Sequence, residues 1–218
     1  MTTRRTIRIN QKKWLSSNKN LKILDLGCSN INFWQEANHF ADIHDYKSDF
    51  ESLNLNYTQI KPDEKLPFKD KEFDYVICTH VIEHVNHPMA FKEEIERIGK
   101  SGYIELPTRL NDNMVFGCDE DIYGHKWWFE FDDDENKLIF AKKIDALEKF
   151  VSVGSIFNLT EIFDDSLIIQ VFWSDKINME QREPYKLEKK ISFLSLVRKY
   201  FSKNIRIQIS KLKDIFKS

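Results

Sequence analysis

The sequence predicts a mixed α/β fold: a mostly parallel sheet with helices on both faces. Three observations carry that prediction. Apolar runs of strand length alternate with a stretch of helical spacing through the first hundred residues. The run Leu21 to Leu26 contains Asp25 and closes on Gly27, which reads as a strand feeding a tight turn. Phe73 to Thr79 (FDYVICT) is a near-continuous apolar run of the kind found in strands buried on both faces.

The elements follow in order. After the first strand, Asn32 to Phe40 is expected as a short helix, Ala41 to Tyr46 as a second strand and Tyr57 to Ile60 as a third. Pro88 to Ile98 has helical spacing, with Met89, Phe91, Ile95 and Ile98 on one side and Lys92, Glu93, Glu94 and Glu96 elsewhere. Gly102 to Leu106 is another short strand, stopped by Pro107. Trp127 to Phe131 and Leu138 to Ala141 flank the acidic turn Asp132 to Asn136 and predict a β-hairpin. Lys143 to Phe150 is expected as a helix and Leu167 to Trp173 (LIIQVFW) as a late strand. From about Tyr185 the pattern becomes basic and amphipathic, with Ile191, Phe193, Leu194, Leu196, Val197, Tyr200 and Phe201 among lysines. The domain is expected over residues 10–180, with a lid or hairpin insertion at about 109–143 and a basic helical tail over 185–218.

Charge is unevenly spread. Residues 1–22 carry seven basic residues and no acid, and residues 183–218 carry ten against three. That leaves 16 of the 33 basic and 32 of the 35 acidic residues in the middle. An acidic body argues against a nucleic-acid partner, which wants a basic stripe beside the site. The three cysteines, Cys28, Cys78 and Cys118, are too few and too scattered for a disulfide framework or a zinc cluster. No apolar run has the length of a membrane span, and the basic N-terminus lacks the apolar core of a signal peptide. A cytoplasmic protein is the expectation. The sequence is silent on oligomeric state.

In a doubly wound sheet, ligands bind at the carboxyl ends of the strands. Asp25-Leu26-Gly27-Cys28 sits at such an end, and a glycine there lets the backbone turn and approach a ligand. Twenty residues on, Asp45 is read as closing the second strand, where a carboxylate can accept hydrogen bonds from both hydroxyls of a ribose. A plain strand-ending turn is the alternative for Asp-x-Gly alone; the order strand, turn, helix, strand, acid favours a nucleoside-like ligand.

Three pieces then resemble the class I S-adenosylmethionine (SAM)-dependent methyltransferases, especially the broad group related to ubiquinone-pathway methyltransferases. They are ILDLGCS at 23–29, LPFKDKEFDYVICTHVIEHVNHP at 66–88 and GYIELPT at 102–108. The resemblance spans about two fifths of the chain and implies a Rossmann-like fold with a seven-stranded sheet and SAM as cofactor. By position it implies that Asp25, Gly27 and Cys28 line the methionine side, with Ser29 beside them. It places Asp45 on the ribose, Asp63 near the adenine amine, and Thr79 and His80 beside the sulfonium and the substrate. One departure stands out. The family continues its first turn with further glycines, where this chain has Ser29 and Ile31, two side chains expected to narrow the site. A non-catalytic binding or scaffold protein on the same fold is therefore the alternative reading.

His80-Val81-Ile82-Glu83-His84 also spells the His-x-x-Glu-His pattern of inverted zinc proteases, but the helix, strand and Pro107 that follow lack their downstream carboxylate. Some ubiquinone-type relatives bind a divalent ion near this place. Here His80 stands where they have an acid, so no metal is expected, and Glu83 and His84 are read as capping the helix start. His84 and His125 are the general-base candidates for a hydroxyl acceptor. Arg109, Tyr123 and Trp127 are candidate acceptor-pocket residues, with an aromatic hairpin packed on the sheet as the alternative for the tryptophan. The expected reaction is methyl transfer to an oxygen, less readily a nitrogen, of a small molecule or a surface-glycan or lipid-linked precursor. The basic tail suggests peripheral contact with the inner membrane surface, or docking on a partner.

Overall fold

The first element is one that apolar periodicity does not mark. Helix α1 (Arg4–Ser17) buries Leu15 completely but otherwise attaches through polar and aromatic groups. Gln11 Nε2 donates to Tyr75 Oη at 2.6 Å, and the Trp14 ring lies 5.5 Å from that of Tyr75. The cations of Arg8 and Lys12 stand 5.0 and 5.4 Å from the centre of the Trp34 ring. The computed structural model describes residues 4–112, 124–143 and 167–183, together with residues 194, 197, 198, 200–202 and 205.

Strand β1 (Ile23–Leu26) pairs in parallel with β2 (His39–Asp42) on one side. Helix α2 (Lys47–Ser52) leads to β3 (Asn56–Gln59), which pairs with β2, and β4 (Phe73–Thr79) pairs with the other side of β1. Helix α3 (Pro88–Ile98) returns the chain to β5 (Gly99–Pro107), parallel to β4. After the short α4 (Arg109–Asp112) comes the hairpin of β6 (Trp127–Asp132) and β7 (Lys137–Lys142). Strand β8 (Ile168–Ser174) lies antiparallel to β5, and β9 (Met179–Gln181) pairs in parallel with β7.

The main sheet runs β3-β2-β1-β4-β5-β8, and β6-β7-β9 form a second sheet. This is the doubly wound arrangement expected, with strand order reversing between β1 and β4. The described residues supply six strands to the main sheet, not seven. Alternation along β1 and β4 splits the core in two. Leu24, Leu26, Val76 and Cys78 pack with Ile95 and Ile98 of α3 and with Phe129, Leu138 and Phe140 of the hairpin. Ile23, Tyr75 and Ile77 pack on the other face with Leu15, Trp34, Phe40 and Phe50.

The Leu66-Pro67-Phe68 segment is strapped to α3. Arg97 donates to the carbonyls of Leu66 and Phe68 and to the carboxylates of Glu94 and Asp70, while Glu94 accepts the Leu66 N–H. The part of the motif that looks like a loop signature is thus a clamp between α3 and the entry to β4.

Two expectations are corrected. Asn32 to Phe40 is not a helix: the segment is a loop until β2 begins at His39, because the buried Asp25 carboxylate captures the Trp34 N–H at 2.8 Å and holds the chain out of helical geometry. The second strand runs His39–Asp42 instead of Ala41 to Tyr46. Asp45 therefore lies past the strand, exposed, accepting the Lys47 N–H at the start of α2. The helix expected over Lys143 to Phe150 lies outside the described residues save for Lys143 itself.

The chain separates into two compact units, Met1–Pro184 and Tyr185–Ser218. In the second, the described residues are helical, and Leu194, Tyr200, Phe201 and Ile205 are exposed. Among the described residues no helix is long and apolar enough to cross a membrane.

Candidate cofactor and acceptor site

Where strand order reverses, β1 and β4 end side by side, and a cavity of about 360 Å³ opens there. Its wall includes Gly27, Asp42, His44, Asp63, His80, His84 and Lys126. Gly27 has φ +82°, and a Cβ built on it would stand 2.1 Å from Val81 Cγ2. Only glycine lets the β1 turn pass beneath Val81. Its N–H donates to the Ala41 carbonyl at 2.7 Å, which fixes the turn against β2.

Asp42 is the last residue of β2, buried and on the cavity wall, and burial raises its pKa above the usual carboxylate range. One of its oxygens accepts the His44 N–H at 2.9 Å. This acid, three residues before Asp45, lines the cavity and was not singled out from the sequence. The two carboxylates sit close together in the sequence, and only where β2 stops decides which of them meets the cavity.

The other expected cofactor residues divide. Asp63 lies on the wall with φ +56° and accepts both the backbone N–H and the side-chain amide of Asn86, whose Oδ1 in turn accepts Lys126 Nζ at 2.7 Å. Asp25 and Cys28 face away, into the α1–Trp34 core. Burial lifts Asp25 to about 7 and pushes the Cys28 thiol well up. Thr79 ends β4 opposite Glu105. Ser29 Oγ accepts the N–H groups of Ile31 and Asn32 in a local turn, Ile31 is 85% exposed, and neither residue lines the cavity. The narrowing expected of these two side chains does not occur.

His80 through His84 form an irregular segment with a turn at 82–84, and the helix starts only at Pro88. The zinc-protease pattern fails on that ground, since it needs both histidines on one helix face. The expected capping fails too. The α3 N-cap is His87, which makes no side-chain capping bond. His80 has φ +56° and donates its N–H to the Glu105 carbonyl at 2.8 Å, so its ring comes between two fully buried carboxylates. Nδ1 is 3.4 Å from Glu83 Oε1 and Nε2 is 3.4 Å from Glu105 Oε1. Burial pulls His80 down, but the two carboxylates outweigh it and hold its pKa at about 9. Glu105 also accepts from Tyr103 Oη at 2.5 Å and Gln170 Nε2 at 3.2 Å, with Arg8 3.6 Å away.

The hairpin entry docks on this turn. Lys126 donates its N–H to the Glu83 carbonyl at 2.8 Å, and Trp127 Nε1 donates to the Val85 carbonyl at 2.8 Å. His125 is thereby carried to His84, with ring centres 4.6 Å apart, and its Nε2 is 3.9 Å from Glu83 Oε1. Burial lowers the His84 pKa, which favours the neutral ring. Arg109 is turned to another task. It pairs with Glu130 at 2.5 Å and lies 5.8 Å from the centre of the Trp128 ring, joining α4 to β6. Trp127 packs edge-on against Phe140. Neither lines the cavity, and Tyr123 lies outside the described residues.

Residues 24–104, the span from β1 into β5, match the family model for the methyltransferase domain. Sheet order and that match agree: residues 24–104 carry a methyltransferase domain on a Rossmann-like sheet, and such a domain implies SAM as cofactor. Among known proteins, it is 28% identical over 168 residues to an uncharacterized protein of Methanocaldococcus jannaschii, covering 70% of this chain and 71% of the relative. A solved SAM-dependent methyltransferase from Aquifex aeolicus is 13% identical with TM-score 0.39, over 75% of this chain and 87% of that one. A SAM-dependent methyltransferase from Thermotoga maritima is 16% identical with TM-score 0.37, over 48% of this chain. The chain spans 56% of that protein's length.

Proposed function

We propose that the enzyme methylates an oxygen, less readily a nitrogen, of a small molecule or a surface-glycan or lipid-linked precursor in the cytoplasm. The observation that carries this reading is the cluster of His84, His125 and Glu83 beside a cavity whose wall also holds Asp42. A hydroxyl acceptor must lose a proton as it is methylated, and a neutral imidazole is the group that takes one near pH 7.

The residues present fit SAM. Gly27 provides a backbone cradle that a Cβ would fill, and Asp42 offers a buried carboxylate at the end of β2 for the ribose hydroxyls. The cavity volume is in the range of small-ligand sites. Asp63, which lines the cavity and is held by Asn86, would meet the adenine amine in this reading. The cofactor supplies a methyl group on a sulfonium that is already a good leaving group. What the chain must add is position and a proton acceptor. The acceptor oxygen bonds to the methyl carbon as the sulfur–carbon bond breaks, the hydroxyl proton passes to His84 or His125, and S-adenosylhomocysteine leaves. His80, cationic up to pH about 9, holds the β4 turn against Glu83 and Glu105 while this happens.

The test is calorimetric titration with SAM and S-adenosylhomocysteine of the wild type, Asp42→Ala and Asp45→Ala. Micromolar binding, about −8 kcal/mol, should be lost in Asp42→Ala and kept in Asp45→Ala. Loss only in Asp45→Ala would return the ribose role to that residue. No binding by the folded wild type would refute the cavity as the cofactor site.

A further inference from the structure

A single amide joins Asp63 to the hairpin entry. Asp63 is exposed and has φ +56°, an uncommon conformation for a residue other than glycine. Both of its carboxylate oxygens accept from Asn86, Oδ1 from the backbone N–H at 3.1 Å and Oδ2 from the side-chain amide. The other end of that amide, Asn86 Oδ1, accepts Lys126 Nζ at 2.7 Å. A carboxylate only accepts and an ammonium only donates, so the amide fits between them in one orientation. Each side-chain bond is charge-assisted, and the ammonium drawing on the carbonyl makes the amide N–H a stronger donor to Asp63. Asp63, Asn86 and Lys126 all line the cavity.

We propose that Asn86 is a positioning residue that couples cofactor binding to docking of the hairpin entry. The proposal deepens the reading above and rests on it, since it takes Asp63 as the acceptor of the adenine amine. An exposed carboxylate turns freely about its side-chain bonds, and ordering it on binding weakens affinity. With Lys126 docked, the Asn86 amide is fixed at its oxygen and holds Asp63 in place before the cofactor arrives. The two Asn86 bonds leave lone pairs on the carboxylate for the amine.

Coupling between two sites is reciprocal, so bound cofactor strengthens docking of the hairpin entry by the factor by which docking strengthens the cofactor. The entry is held on the same turn by two further bonds, from the Lys126 N–H to the Glu83 carbonyl and from Trp127 Nε1 to the Val85 carbonyl. It carries His125 to His84. The acceptor side is therefore most completely formed on cofactor-loaded protein, and cofactor binds before acceptor.

The experiment is amide hydrogen exchange of the full chain, free and saturated with S-adenosylhomocysteine, with affinity measured alongside by calorimetry. The reporting amide is Lys126, and Leu138, bonded to the Asn178 carbonyl in the second sheet, registers general stabilisation. In the wild type the ligand should slow exchange at Lys126 about fivefold more than at Leu138, the lower end of ordinary coupling between sites. Asn86→Ala should exchange faster at Lys126 when free, lose the extra protection when loaded and bind the ligand about fivefold more weakly. Asn86→Asp keeps an acceptor for Lys126 but sets a second carboxylate against Asp63. It should retain slow exchange at Lys126 in the free protein and still lose the ligand-induced gain, whereas a residue that merely braces the hairpin would be rescued in both respects. S-inosylhomocysteine, whose base carries an oxygen in place of the amine, should bind the wild type without the extra protection. Equal slowing at Lys126 and Leu138 in the wild type, or a gain that survives in either variant or with the inosyl ligand, would overturn the coupling. A folded wild type that does not bind S-adenosylhomocysteine would refute the cofactor reading and this one with it, so the two failures are distinguishable.

Discussion

Asp25 shows how a residue can stand at a signature position and face the wrong way for the role the signature suggests. Its carboxylate is 2% exposed and binds the Trp34 N–H, so it organises the loop after β1 from beneath. Burial raises its pKa from 3.8 to about 7, so the folded protein holds a proton there that the unfolded chain has already released by pH 5. For a carboxyl raised on folding, the contribution to stability is fully present below the unfolded pKa and is lost as pH rises through the folded one. Between pH 4 and 8 the wild type should therefore lose stability on the order of 2–4 kcal/mol from this residue. Asp25→Asn keeps an acceptor for Trp34 and removes the titration. It should match the wild type in urea unfolding at pH 4 and exceed it at pH 8. A variant less stable than the wild type at pH 8 would mean that the ionised carboxylate is held by Arg8 instead.

At the scale of elements, the junction between the hairpin entry and the β4 turn decides whether the acceptor side exists. Trp127→Phe keeps a ring against Phe140 and deletes the bond to the Val85 carbonyl along with part of the indole's packing surface. The expected cost is about 1 kcal/mol, a fall of roughly 2–4 °C in melting temperature for a chain of this size. Faster amide exchange at Lys126, whose N–H holds the Glu83 carbonyl, should accompany it. Unchanged exchange would place the docking force in the apolar contacts. This junction also marks what the sequence could and could not reveal. β4 and α3 were legible to the residue, because FDYVICT and the 88–98 spacing are dictated by burial within one element. Gly27 was legible because a strand must turn there. The meeting of His125 with Glu83 and His84 was not, since it joins segments far apart in sequence and has no period. Helix α1 escaped for a related reason: Arg8, Gln11 and Lys12 attach it through ring faces and hydrogen bonds in place of an apolar stripe. The end of β2 was lost to two acids within one short stretch.

For the whole molecule, the acidic body and the basic unit Tyr185–Ser218 are chemically distinct. Leu194, Tyr200, Phe201 and Ile205 are exposed on helical residues of that unit, and under the proposal of peripheral membrane contact they are the side chains that would meet an anionic surface. Deleting residues 185–218 should abolish co-sedimentation with phosphatidylglycerol vesicles and leave SAM affinity within about twofold, roughly 0.4 kcal/mol. Vesicle binding that survives the deletion would assign the exposed apolar residues to a protein partner. The main sheet has its own consequence for how the chain comes into being. Strand β5 is complete at Pro107, but its outer edge is covered only when β8 arrives, and Trp173 then closes over Gly102, where a Cβ would stand 2.7 Å from the indole nitrogen. During synthesis the ribosome must deliver everything between residues 107 and 168 while that edge stays bare. A nascent chain stalled in this interval carries the cofactor half of the enzyme already formed beside an open strand, ready to pair with a neighbour's.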